Sequence, residues 1–203
     1  MDALGISQVA LNMHTTHCQC QVILTHDSVC GRVTFFTDFS TQKPILIQQH
    51  VDDSGFFDRS WNEFRVGFGD PSGNFWLGNE QIHQLNKDGR CKLRFDVRQQ
   101  STTAWFWAEY STFIVADETN DYQLTVAGFS GNVNYDAFGQ DNGNVFATSD
   151  RDVAAGCAQS RGGGFWYNNC GNARVNAAGH LFDWGQLSGG DNLMYSQMWL
   201  ECP

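Results

Sequence analysis

The residues from Asp150 to Cys170, DRDVAAGCAQSRGGGFWYNNC, hold the chain's densest set of groups able to do chemistry. Asp150 and Asp152 form a D-x-D pair. Carboxylates spaced in this way in an irregular loop are what a hard, oxygen-seeking cation such as Ca2+ requires. Cys157 follows, and Cys170 stands thirteen positions on, across the run Gly162-Gly163-Gly164 and the aromatic trio Phe165-Trp166-Tyr167. A cysteine pair across a short glycine-rich stretch can hold a loop in shape without a hydrophobic core beneath it. Aromatic rings beside such a loop offer a rigid apolar wall to a small ligand. These residue types suit recognition. They do not suit bond chemistry: no G-x-S-x-G elbow, H-E-x-x-H pair or Walker loop occurs. Two carboxylates so close in one loop fit chelation better than a glycosidase pair.

Composition narrows the partner classes. The 203 residues suit one domain with a core of real size. Twenty-two Asp and Glu against twelve Lys and Arg leave a formal charge of -10, which argues against a nucleic-acid backbone or an anionic membrane surface as partner. No apolar run approaches the roughly 20 residues of a membrane span. The opening MDALGISQVALNMHTTHCQC lacks a basic region followed by an apolar one, so no signal peptide is visible, and a secreted parent would have its leader removed.

The seven cysteines are Cys18, Cys20, Cys30, Cys91, Cys157, Cys170 and Cys202. No C-x-x-C pair supports a zinc site, and the set reads as the disulfide framework of an oxidising compartment. An odd count leaves one cysteine free or used between chains, and Cys202 is the candidate for an intermolecular bond. Cys91, heading the half-buried strand pattern CKLRFDV, also reads as a small buried hydrophobe.

The elements that must position the loop follow from periodicity and turn chemistry. Residues 1–44 form a separate compositional zone in which VILTHDSVCGRVTFF suggests two short β segments. Ile45-Leu46-Ile47 reads as a buried strand. Asp53-Ser54-Gly55 and Asp70-Pro71-Ser72-Gly73 are turns. RSWNEFRV reads as a helix with Ser60 as N-cap and Glu63 three residues on, and residues 79–85 as a second short helix. Strands are expected at 91–97, 104–110, 112–115, 123–126 and 193–200, with a Gly-, Asn- and Asp-rich loop between Gly128 and Gly143. Trp61, Phe64, Phe68, Phe75, Trp76, Trp105 and Trp107 are assigned to the core or to packing between subdomains. The fold class is α+β: short helices on a central antiparallel sheet, then a long loop-rich region.

With these residues in view, the chain resembles the fibrinogen C-terminal domain family of fibrinogen, ficolins, tachylectins, angiopoietins, tenascins and many invertebrate lectins. The segments that carry the resemblance are ILIQQHVDDSGFFDRSWNEFRVGFGDPSGNFWLGNEQIH, FWAEYSTFIVADETNDYQLTVAGFSGN, NGNVFATSDRD and CAQSRGGGFWYNNC. It implies a divergent N-terminal segment at 1–44 and a fibrinogen-like domain at 45–203. Within the latter, a central sheet spans about 45–130, a loop-rich calcium- and ligand-binding subdomain about 131–192, and a terminal strand 193–200.

The resemblance also implies site residues. Asp150 and Asp152 match the family's carboxylate calcium ligands, with backbone carbonyls from around Val153 and Ala155 completing the set. Cys157 and Cys170 match a family disulfide. Asn169-Cys170 matches a peptide that is cis in the lectin members, where a non-proline cis bond costs about 2.5–4 kcal/mol and so implies function. Arg161, Phe165, Trp166, Tyr167, Asn169, Cys170, Gly171, His180 and Asp183 are the implied ligand contacts, with Tyr195 as a weaker edge candidate. Three departures stand out: the Gly-Gly-Trp expected before Ile45 is absent, the loop from Asp152 to Cys157 is short, and Gly171 and Arg161 replace a typical histidine and aromatic. The expected function is a secreted, non-enzymatic recognition domain for carbohydrate or microbial-surface ligands. This would be an innate-immune pattern-recognition lectin shaped by Ca2+, with N-acetylated sugars or bacterial polysaccharides as partners and homo-oligomers for avidity. The alternative is a protein-interaction module that binds a receptor or matrix partner through the same face.

Overall fold

A computed structural model describes residues 43–52, 54–185, 187 and 192–203. The two β segments expected within residues 1–44, the cysteines Cys18, Cys20 and Cys30, and Asp53 of the first turn lie outside the described residues.

A seven-stranded antiparallel sheet organises the chain. Its strands are β1 (Ile45–His50), β2 (Phe68–Gly69), β3 (Phe75–Trp76), β4 (Lys92–Gln99), β5 (Trp105–Val115), β6 (Leu124–Gly131) and β11 (Leu193–Glu201). Their order across the sheet is β2-β3-β1-β11-β4-β5-β6. The last strand in sequence is therefore the middle strand in space, paired with β1 on one side and β4 on the other. Four two-residue strands, β7 (Phe146–Ala147), β8 (Phe165–Trp166), β9 (Ala173–Arg174) and β10 (Asp183–Trp184), make two small ladders outside it.

Alternation sorts the faces. Leu93, Phe95 and Val97 of β4, Ala108 and Tyr110 of β5, and Met198 and Leu200 of β11 point into one core, while the residues between them are half-buried or exposed. What read as two strands at 104–110 and 112–115 is one, β5, whose inward phase slips at Ser111 so that Phe113 and Val115 rejoin the core. The same alternation corrects the placement of two aromatics. Trp105, 51% exposed, and Trp107 stand on the face turned away from the core, whereas Trp61, Phe64 and Trp76 are buried as expected.

The helices are short and capped. In α1 (Trp61–Val66) the Ser60 side chain accepts from the Glu63 amide, and the Glu63 carboxylate accepts from the Ser60 amide at 3.0 Å, a complete capping box. Helix α2 (Asn79–Asn86) packs on β5 through Ile82, and its terminal Asn86 binds the backbone of Cys91 and Phe113. The third, α3 (Cys157–Arg161), belongs to the loop region.

Cys91 and Cys202 are disulfide-bonded, closing 111 residues and tying the entry of β4 to the exit of β11. Cys202 is thus used within the chain and not between chains, because antiparallel pairing brings Lys92 opposite Glu201 and so puts the two flanking cysteines side by side. In the chain-entropy account a loop of this length contributes about 4–5 kcal/mol. Replacing both Cys91 and Cys202 by Ser should lower the unfolding free energy by about 3–5 kcal/mol in urea titrations, with a steeper slope because the unfolded chain is no longer cross-linked. An unchanged midpoint would count against the bond as a staple of the sheet.

Candidate functional site

The disulfide Cys157–Cys170 closes a 13-residue loop that starts in α3 and returns through β8. The glycines between are required by contact. A Cβ at Gly163 would lie 2.0 Å from the Asn176 carbonyl oxygen, and one at Gly164 would lie 2.6 Å from the Phe64 ring. The loop is pressed against the core, and this decides the fate of the aromatic trio. Phe165, Trp166 and Tyr167 are all buried, at 0%, 0% and 3% exposure. The expected apolar wall is absent at this loop, because β8 is covered on both faces and neither side of its alternation meets solvent. The Trp166 indole donates to the Tyr122 carbonyl at 2.7 Å, and the Tyr167 hydroxyl donates to the Gly163 carbonyl at 2.6 Å. These rings shape the loop from beneath.

What reaches the surface is polar. Asn168 and Asn169 are exposed, and Asn169, Cys170 and Gly171 take left-handed φ angles of 47°, 64° and 66°. The reversal is made by that left-handed run. The Asn169–Cys170 peptide is trans, which corrects the cis bond the resemblance implied. Arg161, at the end of α3, donates from Nε to the Cys170 carbonyl at 3.3 Å and forms no ion pair among the described residues. Its guanidinium therefore keeps donors for another acceptor. Asp183 and Arg174, facing each other across β9 and β10, form a two-point pair. Burial raises the Asp183 carboxyl above its ordinary range, opposed by Arg174. His180 lies in the 3-10 turn Gly179–Leu181. Tyr195 is remote in role: its hydroxyl donates to Gln49 on the sheet.

Asp150 and Asp152 each accept an amide of a helix N-terminus. Asp150 Oδ1 accepts from the Trp61 amide at 2.8 Å, the first amide of α1, and from the Thr148 hydroxyl at 2.7 Å. Asp152 accepts the Ala154 amide on one oxygen and the Gln159 amide, inside the first turn of α3, on the other. Each carboxylate thus satisfies a helix N-terminus that lacks intrahelical acceptors. Val153 is 55% exposed and Ala155 takes a φ of 57°. Ca2+ takes six to eight oxygens, so a cation here would draw on backbone carbonyls beside the two carboxylates, since no group of three acidic, His or Cys side chains stands together among the described residues.

One residue that the sequence reading passed over lies under the loop. Asp141 is fully buried; its Oδ1 accepts from the Asn168 amide at 3.1 Å, and Oδ2 has no partner. Desolvation pushes its carboxyl up to about 8, with the nearby Asp136 adding to the rise. Nothing in FGQDNGN marks this aspartate as buried, since the composition reads as a solvated turn.

An antiparallel sheet with the C-terminal strand at its centre, and a disulfide-closed loop standing beside it, define a fibrinogen-like globe. The chain matches the family described as fibrinogen beta and gamma chains, C-terminal globular domain, over residues 7–200, and it belongs to that family. That match takes in most of the segment read as divergent. Mouse angiopoietin-related protein 7 is 39% identical over 134 residues, 64% of this chain and 39% of its own length. Chicken tenascin is 40% identical over 130 residues, 63% of this chain and 7% of its own. This chain thus spans well under half of these relatives. Among solved structures, the fibrinogen-like globe domain of human ANGPTL2 superposes with a TM-score of 0.70 at 31% identity, over 77% of this chain and 79% of that one.

The half-satisfied carboxyl of Asp141 gives a pH prediction. A carboxyl raised in the folded state adds most stability, relative to its charged form, below the unfolded value near 3.8, and that contribution fades as pH rises through about 8. Asp141→Asn keeps the acceptor for Asn168 and cannot ionise. The variant should melt higher than the parent at pH 8, by a few kcal/mol of stability, with the gap closing near pH 4. Parallel curves for the two proteins across that range would refute a neutral Asp141.

Proposed function

We propose that this domain is a non-enzymatic recognition module that binds an extracellular protein partner through the loop face around Arg161 and Asn168–Gly171. The observation that carries the reading is the burial of Phe165, Trp166 and Tyr167 beneath a rigid, polar loop. A shallow sugar site depends on an apolar wall, and at this loop the wall has been drawn into the core. What remains is a guanidinium with unused donors and exposed asparagines, a set that matches carboxylate and carbonyl acceptors on a protein surface. Kinship with angiopoietin-related proteins and tenascin supports the same direction. Two formed disulfides fit a secreted domain, and among the described residues no helix is long and apolar enough to cross a membrane. A single face of this kind binds weakly, so multivalent display would set useful avidity.

The test is binding of a multivalent display of the domain to intact cells of its source tissue. Saturable binding should vanish after protease treatment of the cells and fall about tenfold with Arg161→Glu. It should survive EDTA and excess N-acetylglucosamine. Binding that survives protease but is lost to glycosidase, EDTA or the sugar would return the loop to the calcium-dependent lectin reading.

A further inference from the structure

The sheet carries a second chemistry on the face turned away from its core. Register places Trp199 opposite Arg94, Gln197 opposite Asp96 and Tyr195 opposite Arg98. Continuing to β5, Asp96 faces Trp107 and Arg98 faces Trp105. The guanidinium groups of Arg94 and Arg98 lie over the Trp107 and Trp105 rings, at 5.0 and 5.7 Å, and Trp105 meets Tyr195 edge-on at 5.3 Å. Three tryptophans on this side of a sheet represent apolar area that the core does not use. Beside them, a concavity of about 450 Å³ is lined by Trp199, Arg94, Asp96, Gln197, Glu201 and Lys43.

The polar groups there are balanced in charge, and three of them, Arg94, Asp96 and Gln197, are held by hydrogen bonds. Arg94 grips Asp96 with Nε and Nη2, at 3.1 and 2.8 Å. Gln197 donates its amide to Gln49 at 2.5 Å, which leaves the Gln197 carbonyl as an acceptor. Glu201 and Lys43 form no ion pair among the described residues and keep their hydrogen-bonding capacity. Two cations, Lys43 and Arg94, match two anions, Asp96 and Glu201, so the concavity carries no net charge to draw in an ion. A flat indole flanked by acceptors and donors of zero net charge suits a ligand with one apolar face and a rim of hydroxyls.

We infer that this concavity is a saccharide site for neutral pyranose units, with the sugar's C–H face on Trp199 and its hydroxyls on Asp96, Glu201 and Gln197. The site is separate from the loop at 157–171, and the inference does not rest on the protein-partner reading. It is tested by titrating the 203-residue chain with cellotetraose and with maltotetraose, followed by tryptophan fluorescence and calorimetry. At least one should bind saturably. Trp199→Leu and Glu201→Gln should each weaken that binding about tenfold or more, while Arg161→Ala leaves it unchanged. Melting curves establish that each variant is folded, and Glu201→Gln carries the test if Trp199→Leu is not. The inference is overturned if neither tetrasaccharide binds. It is equally overturned if both variants bind like the parent, if only a sulfated heparin tetrasaccharide binds, or if Arg161→Ala alone abolishes binding.

Discussion

The side chain of Gln48 is the joint on which this structure depends. Buried at 0% exposure in β1, its amide nitrogen reaches the Val175 carbonyl at 3.2 Å, Asn176 Oδ1 at 3.1 Å and Ser196 Oγ at 3.0 Å. Ser196 donates back to Gln48 Oε1, and Asn176 donates onward to the Gly164 carbonyl at 3.0 Å. One amide thereby links the first strand of the sheet, the last strand and the loop that carries the disulfide. His50, two residues on, adds a contact from Nδ1 to the same Val175 carbonyl and stacks on Phe182. Buried polar groups that are satisfied in this way specify one arrangement, because each alternative packing strands a donor or acceptor away from water.

The joint matters because of where β11 lies. A sheet whose middle strand is the last to be made has no continuous ladder until residues 193–201 insert between β1 and β4. The Cys91–Cys202 bond then holds that strand in register, and Gln48 passes the sheet's rigidity to residues 173–177 and to Gly164. The candidate recognition loop, with almost no regular structure of its own, borrows its order from the sheet. Left-handed residues at 169–171 and the half-satisfied carboxyl of Asp141 persist only where the surroundings over-determine them.

Much of this was legible in the residues. Ser60 and Glu63 announced α1 because a capping box is a local device whose two hydrogen bonds need only four residues. The strand patterns of β4 and β11 were legible because one face is apolar and the other polar, the condition under which period-two alternation shows. Phe165-Trp166-Tyr167 was misleading for the converse reason: a strand covered on both sides looks the same in sequence as one with an aromatic face in solvent. Asp150 and Asp152 carried the spacing of a cation pair, and their oxygens also serve amides of α1 and α3; the first of these contacts is long-range and spacing does not encode it. The Cys91–Cys202 pairing likewise follows from strand order, and the burial of Asp141 from packing, neither of which is written locally.

The claim that the sheet lends its order to the loop through Gln48 is tested most directly by amide hydrogen exchange in Gln48→Met, which keeps the bulk and removes the hydrogen bonds. Exchange should rise about tenfold or more at the Gly171 and Ala177 amides, which close turns onto Asn168 and Arg174, while Phe95 and Val97 in β4 stay protected. Equal loss of protection in the loop and in β4, or no change in either, would contradict the account.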